Sequence, residues 1–243
     1  MKNLVLIHGW GMNAAVWAPL QEALSAHFRL HLLELPGHGC QPYAGERGMA
    51  QWADCLLAAA PERAIWLGWS LGGQLALQAA AQAPQRVERL LLTAAVPYFI
   101  RAADWPSAMP AGTLGQFAEE LGRDYAGTLS RFLALQVRGS EQGREVLRCF
   151  KTELARRPAA DPAALAEGLQ LLRSCDLRPA LAGLECPLSL CFGERDSLIP
   201  IAVADDLAAL YPAARISRIA GAGHAPFLSH PEVWLDWLQR EAG

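Results

Sequence analysis

The sequence predicts an α/β fold built on a mostly parallel, doubly wound sheet that is interrupted by a helical segment. Short apolar runs alternate with helical patterns over residues 1–95 and again over residues 185–243, and such alternation favours a parallel sheet. Residues 96–184 carry helical patterns broken by Pro and Gly, and no convincing strand. We therefore expect one core domain, residues 1–95 with 185–243, and a helical lid of residues 96–184 inserted in it. We call residues 96–184 the insertion.

Length and composition indicate a globular protein without a strong electrostatic preference. The 243 residues suffice to bury a sizeable core, and 52% hydrophobic against 19% charged residues argues against disorder. A net charge of -3 gives no general attraction to nucleic acid, so no nucleic-acid partner is expected. The six cysteines form no C-x-x-C pair, which favours free thiols over a disulfide framework or a zinc site.

No segment has the pattern of a targeting signal or a membrane anchor. The apolar run at residues 4–7 is too short for a signal peptide and is followed at once by His8 and Gly9. Residues 64–85 carry no charge and could cross a bilayer by length alone. A Gly-rich break and four Gln residues within them make a buried strand and helix the preferred interpretation. We therefore expect a cytoplasmic protein with no membrane partner.

The individual elements follow from apolar spacing. The expected strands are short apolar or alternating runs that end in turns, namely residues 4–7, 28–35, 64–67, 87–94, 188–192 and 215–219. Apolar residues at helical spacing, such as Val16, Leu20 and Leu24, mark the segments between the strands. The expected helices of the core are residues 14–26, 49–60, 71–83, 202–211 and 232–241. Strand and helix thus alternate everywhere except in the insertion.

A G-x-S-x-G motif lies between the third strand and its helix. It reads Gly68-Trp69-Ser70-Leu71-Gly72-Gly73. Glycine suits a turn so tight that a Cβ at Gly68 or Gly72 would collide with the neighbouring strand or helix. The turn holds Ser70 out at a helix N-terminus, where unpaired N–H groups favour developing negative charge. We interpret Ser70 as a nucleophile.

A serine nucleophile needs a base and a group that orients the base. Asp196 and His224 each follow a predicted strand of the second core segment, and the order Ser, Asp, His is the one that this kind of sheet uses. Asp205 and Asp206 are alternative acids, but they fall inside a helical run. The other histidines, His8, His27, His31, His38 and His230, have no better claim than a surface or packing role. The predicted triad is Ser70, Asp196 and His224.

The negative charge of a tetrahedral intermediate requires hydrogen-bond donors. The N–H of the residue after the serine and one from the loop after an earlier strand are typical. Leu71 and Trp10 occupy these positions. We expect their backbone N–H groups to form an oxyanion hole.

With these residues identified, the chain resembles the α/β-hydrolase superfamily over nearly its full length, and within it the pimeloyl-[acyl-carrier protein] methyl ester esterases of biotin synthesis. The resemblance is carried by residues 8–11, 66–73, 131–136 and 224–231. It implies that the triad is Ser70, Asp196 and His224. It also implies that the acyl site is lined by Trp10, Ser70, Leu71, Phe132, Leu133, Ala134, Leu135, Gln136 and His224. No metal or organic cofactor is implied.

The chain departs from the family pattern at two places. Family members usually carry further residues before the first strand, so we expect either a missing edge strand or a misplaced start. Cys40 and Gln41 stand where an Arg-Ser pair is common in the superfamily. We interpret the loop that contains them as structural.

The insertion carries an excess of positive charge. Residues 122–157 hold eight cationic and four acidic residues. If residues 140–154 form one helix, Arg144, Arg148 and Lys151 share a face, and with Arg131 they could dock an acidic acyl-carrier protein. The alternative is that Glu141 and Glu145 neutralise these arginines locally.

The sequence therefore favours a serine carboxylesterase that hydrolyses the methyl ester of pimeloyl-[acyl-carrier protein], acts on small esters in vitro and is a monomer. A general short-chain carboxylesterase without a carrier partner is the alternative of the same class. A non-catalytic ligand receptor on a hydrolase scaffold is the alternative of a different class. A dehalogenase or epoxide hydrolase is disfavoured, since these enzymes use Asp at the position of Ser70.

Overall fold

The computed structural model describes residues 1–243 apart from the side chains of Tyr125 and Ala126. A sheet of six strands, all parallel, forms its centre, in the order β2-β1-β3-β4-β5-β6. The strands are β1 (Lys2–Ile7), β2 (Phe28–Leu33), β3 (Ala64–Trp69), β4 (Val87–Thr93), β5 (Leu188–Gly193) and β6 (Arg215–Ile219). The predicted α/β class and the parallel sheet are confirmed. Every predicted strand is present, with ends that differ by up to two residues.

Helices cover both faces of the sheet. The helices outside the insertion are α1 (Gln21–Ser25), α2 (Met49–Ala59), α3 (Leu71–Gln82), α9 (Val203–Leu210), α10 (Pro226–Ser229) and α11 (Pro231–Ala242). The predicted helix at residues 14–26 is instead a 3-10 helix, Ala14–Leu20, followed by the short α1. Pro19 lies inside that 3-10 helix and has no N–H to give an α-helical hydrogen bond.

The insertion between β4 and β5 is helical. It contains α4 (Ala111–Leu121), α5 (Tyr125–Gln136), α6 (Gly143–Leu154), α7 (Pro162–Ser174) and α8 (Arg178–Leu181). The described residues of the insertion form no strand, only two isolated bridges, between Ile100 and Met109 and between Ala102 and Trp105. The division into a core and a lid stays a prediction.

Helix α6 begins three residues later than the predicted helix of residues 140–154. Gly139 has a φ of +81°, which is the left-handed region, and the chain turns there before α6 starts at Gly143. Glu141 therefore lies in the turn and outside the helix. Arg144, Arg148 and Lys151 remain on α6.

Two apolar clusters, one on each side of the sheet, form the core. The first contains Trp10 and Phe132, and the second contains Trp69 and Phe227. Both clusters include residues of the insertion, for example Phe132 in the first and Phe150 in the second. The insertion therefore contributes to the apolar core on both faces of the sheet. Within the described part of the chain, none of the helices combines the length and the apolar composition that a membrane span requires.

Candidate active site

The turn after β3 holds Ser70 in a strained backbone conformation. Its φ is +56° and its ψ is -121°, which a residue with a side chain rarely adopts. A Cβ at Gly68 would overlap the backbone of Gly72, and a Cβ at Gly72 would overlap the carbonyl of His8. The two glycines therefore allow the strand and the helix to approach closely enough to present Ser70 between them. Its side chain lies in a nearly closed environment, with the residue 4% exposed.

Asp196 and His224 form a buried pair at the carboxyl ends of β5 and β6. The His224 Nδ1 donates to Asp196 Oδ2 across 2.7 Å. The other carboxylate oxygen accepts from the N–H groups of Leu198 at 2.8 Å and Ile199 at 2.9 Å. These bonds fix the carboxylate, and a carboxylate acceptor at Nδ1 places the proton there and leaves Nε2 free to accept. The Nε2 atom is buried and has no hydrogen-bond partner among the described residues.

The side chain of Trp69 brings the Ser70 turn and His224 together. Its ring lies 5.7 Å from the His224 ring, and its Nε1 donates to the His224 carbonyl at 2.8 Å. Because no hydrogen bond closes Nε2 in this structure, the imidazole can receive a proton from a group that approaches it. The alternative acids lie elsewhere: Asp205 pairs with Arg218, and Asp206 accepts from the N–H of Ser107.

The turn after β1 lies against Ser70. A Cβ at Gly9 would lie 3.3 Å from the Ser70 Cβ. Trp10 is buried, and its indole Nε1 donates to the carbonyl of Leu165 in α7 at 2.8 Å. Leu71, the first residue of α3, is also buried. The structure thus brings Gly9, which precedes Trp10, next to the serine, and Leu71 follows Ser70 directly in the chain.

A buried polar cluster beneath this turn was not anticipated from the sequence. His8 and His38 are fully buried, and the N–H of Gly11 donates to His38 Nε2 at 3.3 Å. Burial, and secondarily the charge of His8, lowers the pKa of His38 to about 3. Glu34 closes the cluster, and its pKa lies below the ordinary value, since burial is outweighed by hydrogen bonds from His8 and Ala14 and by nearby charge. The loop that carries His38 therefore supports the turn after β1.

In the sequence, the indication of this cluster is the short spacing between Glu34 and His38, which both follow β2. Each residue taken alone has the pattern of a surface residue or a packing residue. His8 and Glu34 follow neighbouring parallel strands, so their proximity follows only once the order of the strands is known.

The run of residues 132–136 does not line one surface. Phe132 packs edge-to-face on Trp10 with ring centroids 4.7 Å apart, and the carbonyl of Gln136 accepts from the His224 N–H at 3.1 Å. Leu133 is buried in the second cluster, Leu135 is partly buried and Ala134 is exposed. Consecutive residues of a helix point about 100° apart, so these five side chains face different directions. That all five line the acyl site stays a prediction.

The end of α5 contacts both the acid loop and the base loop. Ser197 donates to the carbonyl of Leu135 at 2.9 Å, and His224 donates to that of Gln136. These carbonyls belong to the last turn of α5, and that of Leu135 also accepts from the backbone N–H groups of Val137 and Arg138. The side-chain amide of Gln136 is buried, and within the described part of the chain neither its nitrogen nor its oxygen is hydrogen-bonded. The residue whose backbone bonds to His224 therefore has a polar side chain without a described partner.

The cationic residues of the insertion differ in their pairing. Arg131 is engaged by Glu120 at 2.9 Å and Asp124 at 3.6 Å. Arg144, Arg148 and Lys151 line one groove along α6, and among the described residues no carboxylate lies within ion-pair distance of them.

The alternative, local neutralisation of these arginines by Glu141, is wrong. Glu141 pairs with Arg195 at 3.1 Å, and its N–H donates to the carbonyl of Gly221. The reason is that α6 starts only at Gly143, so Glu141 lies before the helix and is bonded to loops of the core. Glu145 lies on α6 but makes no ion pair within the described part of the chain.

The six cysteines are free thiols. Burial raises the pKa of Cys186 to about 11, so this thiol stays protonated. Among the described residues, no group of three or more His, Cys, Asp or Glu side chains could hold a metal ion.

Comparison with known sequences identifies close relatives. The sequence model of the family described as "alpha/beta hydrolase fold" matches residues 2–231. The pimeloyl-[acyl-carrier protein] methyl ester esterase of Serratia marcescens is 44% identical over 238 residues, which cover 98% of this chain and 92% of that protein. The protein of the same name from Xanthomonas oryzae pv. oryzae (strain MAFF 311018) is 47% identical over 237 residues, which cover 98% and 93%.

Comparison with solved structures gives the same fold. An esterase from Exiguobacterium antarcticum superposes with a TM-score of 0.88 over 99% of this chain and 91% of that chain, at 19% identity. A hydrolase from Pseudomonas aeruginosa superposes with a TM-score of 0.79 over 100% and 90%, at 25% identity. The predicted fold is confirmed by both kinds of comparison.

Proposed function

From the premise that this chain belongs to the α/β-hydrolase family and, within it, to the pimeloyl-[acyl-carrier protein] methyl ester esterases, we propose that it hydrolyses the methyl ester at the far end of a pimeloyl chain carried on acyl-carrier protein. Its esterase activity follows from that membership. The products are the free pimeloyl carboxylate, still attached to its carrier and used for biotin synthesis, and methanol. The observation that carries the proposal is the buried His224–Asp196 pair beside the strained Ser70 turn.

The chemistry takes place in two steps. The Ser70 Oγ attacks the ester carbonyl carbon while His224 Nε2 accepts the hydroxyl proton. The bond to the methoxy oxygen then breaks, and methanol leaves with the proton from His224. A water molecule then gives a proton to His224 and attacks the acyl-enzyme. The bond from the acyl carbon to Ser70 Oγ breaks, Oγ receives that proton from His224, and the acid leaves and ionises to the carboxylate. Asp196 holds the imidazole and stabilises its charged form, which its 2.7 Å bond to Nδ1 supports.

The N–H groups of Trp10 and Leu71 stabilise the oxyanion formed in each step. Both residues are buried beside Ser70, so the negative charge develops away from bulk water. Loss of one such donor typically costs on the order of 10² to 10³ in rate.

The acyl chain lies between the turn after β1 and α5. Phe132, packed on Trp10, and the half-buried Leu135 provide apolar surface, and burial of each methylene contributes roughly 0.8 kcal/mol. The amide of Gln136 has no partner, and an ester or carboxyl oxygen of the substrate would supply one. This proposal excludes Ala134, which is exposed.

The carrier docks on α6 through Arg144, Arg148 and Lys151. These three residues have no carboxylate partner within the described chain, and they line a single groove. Like charges on consecutive turns repel each other unless an anionic surface faces them, and an acidic carrier protein provides one. Arg131 is left out of this docking face because Glu120 and Asp124 already engage it. We further propose that the enzyme acts as a monomer in the cytoplasm, where its six free thiols would stay reduced.

Three experiments test the proposal. Ser70→Ala should abolish turnover of p-nitrophenyl butyrate, and retained turnover would overturn the mechanism. Arg144→Glu with Arg148→Glu should weaken turnover of the carrier-bound methyl ester at least 10-fold, since charge reversal repels an acidic partner, but leave the small ester unaffected. An equal effect on both substrates would favour a general carboxylesterase without a carrier. Restoration of growth without biotin in a strain that lacks this esterase would establish the physiological substrate.

A further inference from the structure

A buried carboxylate joins the insertion to the turn after β1. The Glu34 side chain is 9% exposed, and its Oε1 lies 2.9 Å from Nη1 of Arg157, which follows α6 in the insertion. Its Oε2 accepts from the N–H of Ala14 at 2.9 Å and lies 3.0 Å from His8 Nε2. One carboxylate thus contacts a cation of the insertion, a histidine of β1's carboxyl end and the backbone beyond the turn.

His8 connects Glu34 to the peptide group between Gly9 and Trp10. The His8 Nδ1 donates to the carbonyl of Gly9 at 2.9 Å, and the N–H of Met12 donates to the same carbonyl at 3.2 Å. At the other side of the ring, Nε2 lies 3.0 Å from Glu34 Oε2 and 3.1 Å from the nitrogen of Leu35. It either donates to the carboxylate or accepts from the Leu35 N–H, and each of these contacts holds this side of the ring. The ring is therefore held at both nitrogens and cannot rotate without losing contacts.

Fixing the Gly9 carbonyl also fixes the N–H of Trp10. The two groups belong to one planar trans peptide, in which the C=O and the N–H point in opposite directions. When the carbonyl is held towards His8 and Met12, the Trp10 N–H must face away from them. That N–H is one of the two oxyanion donors in the function proposed above.

We propose that Glu34 and Arg157 are positioning residues for the oxyanion donor at Trp10, and that Arg157 makes the alignment of this donor depend on the seating of the insertion. The inference rests on the proposed function in one respect, namely the role of the Trp10 N–H. A second contact ties the same part of the insertion to the same turn, since Asn13 Nδ2 donates to the carbonyl of Leu154 at 3.3 Å. When this part of the insertion moves away, Glu34 loses its ion pair with Arg157, and Asn13 loses its hydrogen bond to Leu154.

This ion pair is more buried at its arginine than the neighbouring pair of Arg156 and Glu153. Arg156, which precedes Arg157 in the chain, pairs with Glu153 at 3.2 Å. The side chain of Arg156 is 60% exposed, whereas that of Arg157 is 33% exposed. An exposed pair contributes little, whereas removing one partner of a buried pair leaves an uncompensated charge. Beneath the turn the uncompensated group would be Glu34, in contact with His8. The loss of Arg157 should therefore change the orientation of the peptide group that carries the Trp10 N–H.

The test compares Arg157→Gln, Arg157→Lys and the control Arg156→Gln with the wild-type enzyme. The substrate is p-nitrophenyl butyrate, and the inhibitor is a trifluoromethyl ketone, whose adduct with Ser70 carries an oxyanion. We expect Arg157→Gln to lower kcat about 10-fold and to raise Ki by the same factor, with KM within twofold, because misplacing one donor weakens only the oxyanion state. Arg157→Lys should recover most of the loss, and Arg156→Gln should match the wild-type enzyme.

Glu34→Gln provides the stronger perturbation and should lower kcat about 100-fold, approaching the loss of one oxyanion donor. Active-site titration with a fluorophosphonate corrects all rates for the folded fraction. A merely structural role would lower that fraction and leave kcat per active site and Ki unchanged, and this result would overturn the inference. If Glu34→Gln does not fold, the Arg157 variants decide: unchanged kcat and Ki in Arg157→Gln also overturn it. Hydrolysis by the wild-type enzyme and its loss in Ser70→Ala would leave the proposed function standing in either case.

Discussion

The indole nitrogen of Trp69 donates a hydrogen bond of 2.8 Å to the backbone carbonyl of His224. Trp69 immediately precedes Ser70, so its side chain connects the turn that carries the proposed nucleophile to the residue that carries the proposed base. Phe227 packs on the same indole at a centroid distance of 5.0 Å, and Phe150 of the insertion stacks on it at 5.8 Å. The distance between the two loops is therefore set by a packed aromatic ring with one directed polar bond.

We expect Trp69→Phe to destabilise the protein by about 1 to 3 kcal/mol beyond the loss of ring volume, because a buried carbonyl loses its donor. Trp66→Phe is the matched control: Trp66 lies in the same strand, is equally buried, and its Nε1 has no hydrogen-bond partner. Urea unfolding gives the two free energies, and ester hydrolysis gives kcat. The interpretation would be contradicted if both variants lost the same stability and Trp69→Phe kept full activity.

Replacement of Asp196 by Asn should reduce kcat by about 10⁴. The amide oxygen would still accept from Leu198 and Ile199, which turns the NH2 towards His224. Two donors then oppose each other, so the imidazole adopts the tautomer that carries its proton on Nε2 and cannot act as a base. The initial rate on p-nitrophenyl butyrate measures the loss.

Asp205→Asn is the control for this variant. Asp205 was the alternative acid in the sequence, and in the structure it pairs with Arg218 on an exposed surface. Its replacement should leave kcat within about twofold, as expected for an exposed ion pair. A large loss in Asp205→Asn with a small one in Asp196→Asn would reverse the assignment.

Stability should fall as the pH is lowered below about 6.5, the ordinary pKa of histidine. Burial lowers the pKa of folded His38 to about 3. Between these values the unfolded chain binds a proton that the folded protein does not, so the free energy of unfolding decreases as pH falls, by up to roughly 1.4 kcal/mol per pH unit. From pH 7 to pH 5 the loss amounts to about 2 kcal/mol.

The check is the difference between wild-type protein and His38→Gln. The other histidines contribute equally to both and cancel in this difference, and the range stays above pH 4.5, the ordinary pKa of a glutamate such as Glu34. Urea unfolding at pH 7, 6 and 5 should give a shallower decrease for His38→Gln, even if that variant is less stable at pH 7 because Gly11 and Pro36 lose their partner. Parallel decreases in the two proteins would show that His38 is not the group responsible.

The parts of the fold and site that could be predicted are those encoded locally. Apolar runs bounded by glycine-rich turns predicted the strands. They also predicted that Ser70 and His224 lie at the same edge of the sheet, because the carboxyl ends of parallel strands meet there. The contact between Arg157 and Glu34 could not be predicted, since it joins the segment after α6 to the residue after β2, and these are far apart in the sequence. The orientation of Ala134 depended on the phase of α5 against the core, which a five-residue motif does not contain.

Gly168 in α7 should be intolerant of substitution although it lies in a helix. A Cβ there would lie 2.7 Å from Trp10 Cδ1 and 3.3 Å from Leu71 Cδ2, the side chains of both residues whose N–H groups are the proposed oxyanion donors. The indole cannot yield, because its Nε1 is bonded to Leu165 one turn earlier in α7. Alanine normally stabilises a helix by about 1 kcal/mol relative to glycine. Gly168→Ala should not show this gain, and it should lower kcat.

The matched substitution is Gly115→Ala in α4, where a Cβ would meet nothing within 4 Å. That variant should be about 0.5 to 1 kcal/mol more stable than wild type, by the same helix preference, and should keep its activity. Urea unfolding and kcat for the two variants separate the helix preference from the contact with Trp10. If Gly168→Ala gained stability as Gly115→Ala does and kept its activity, α7 would not be packed tightly enough on Trp10 to hold the turn after β1 in place.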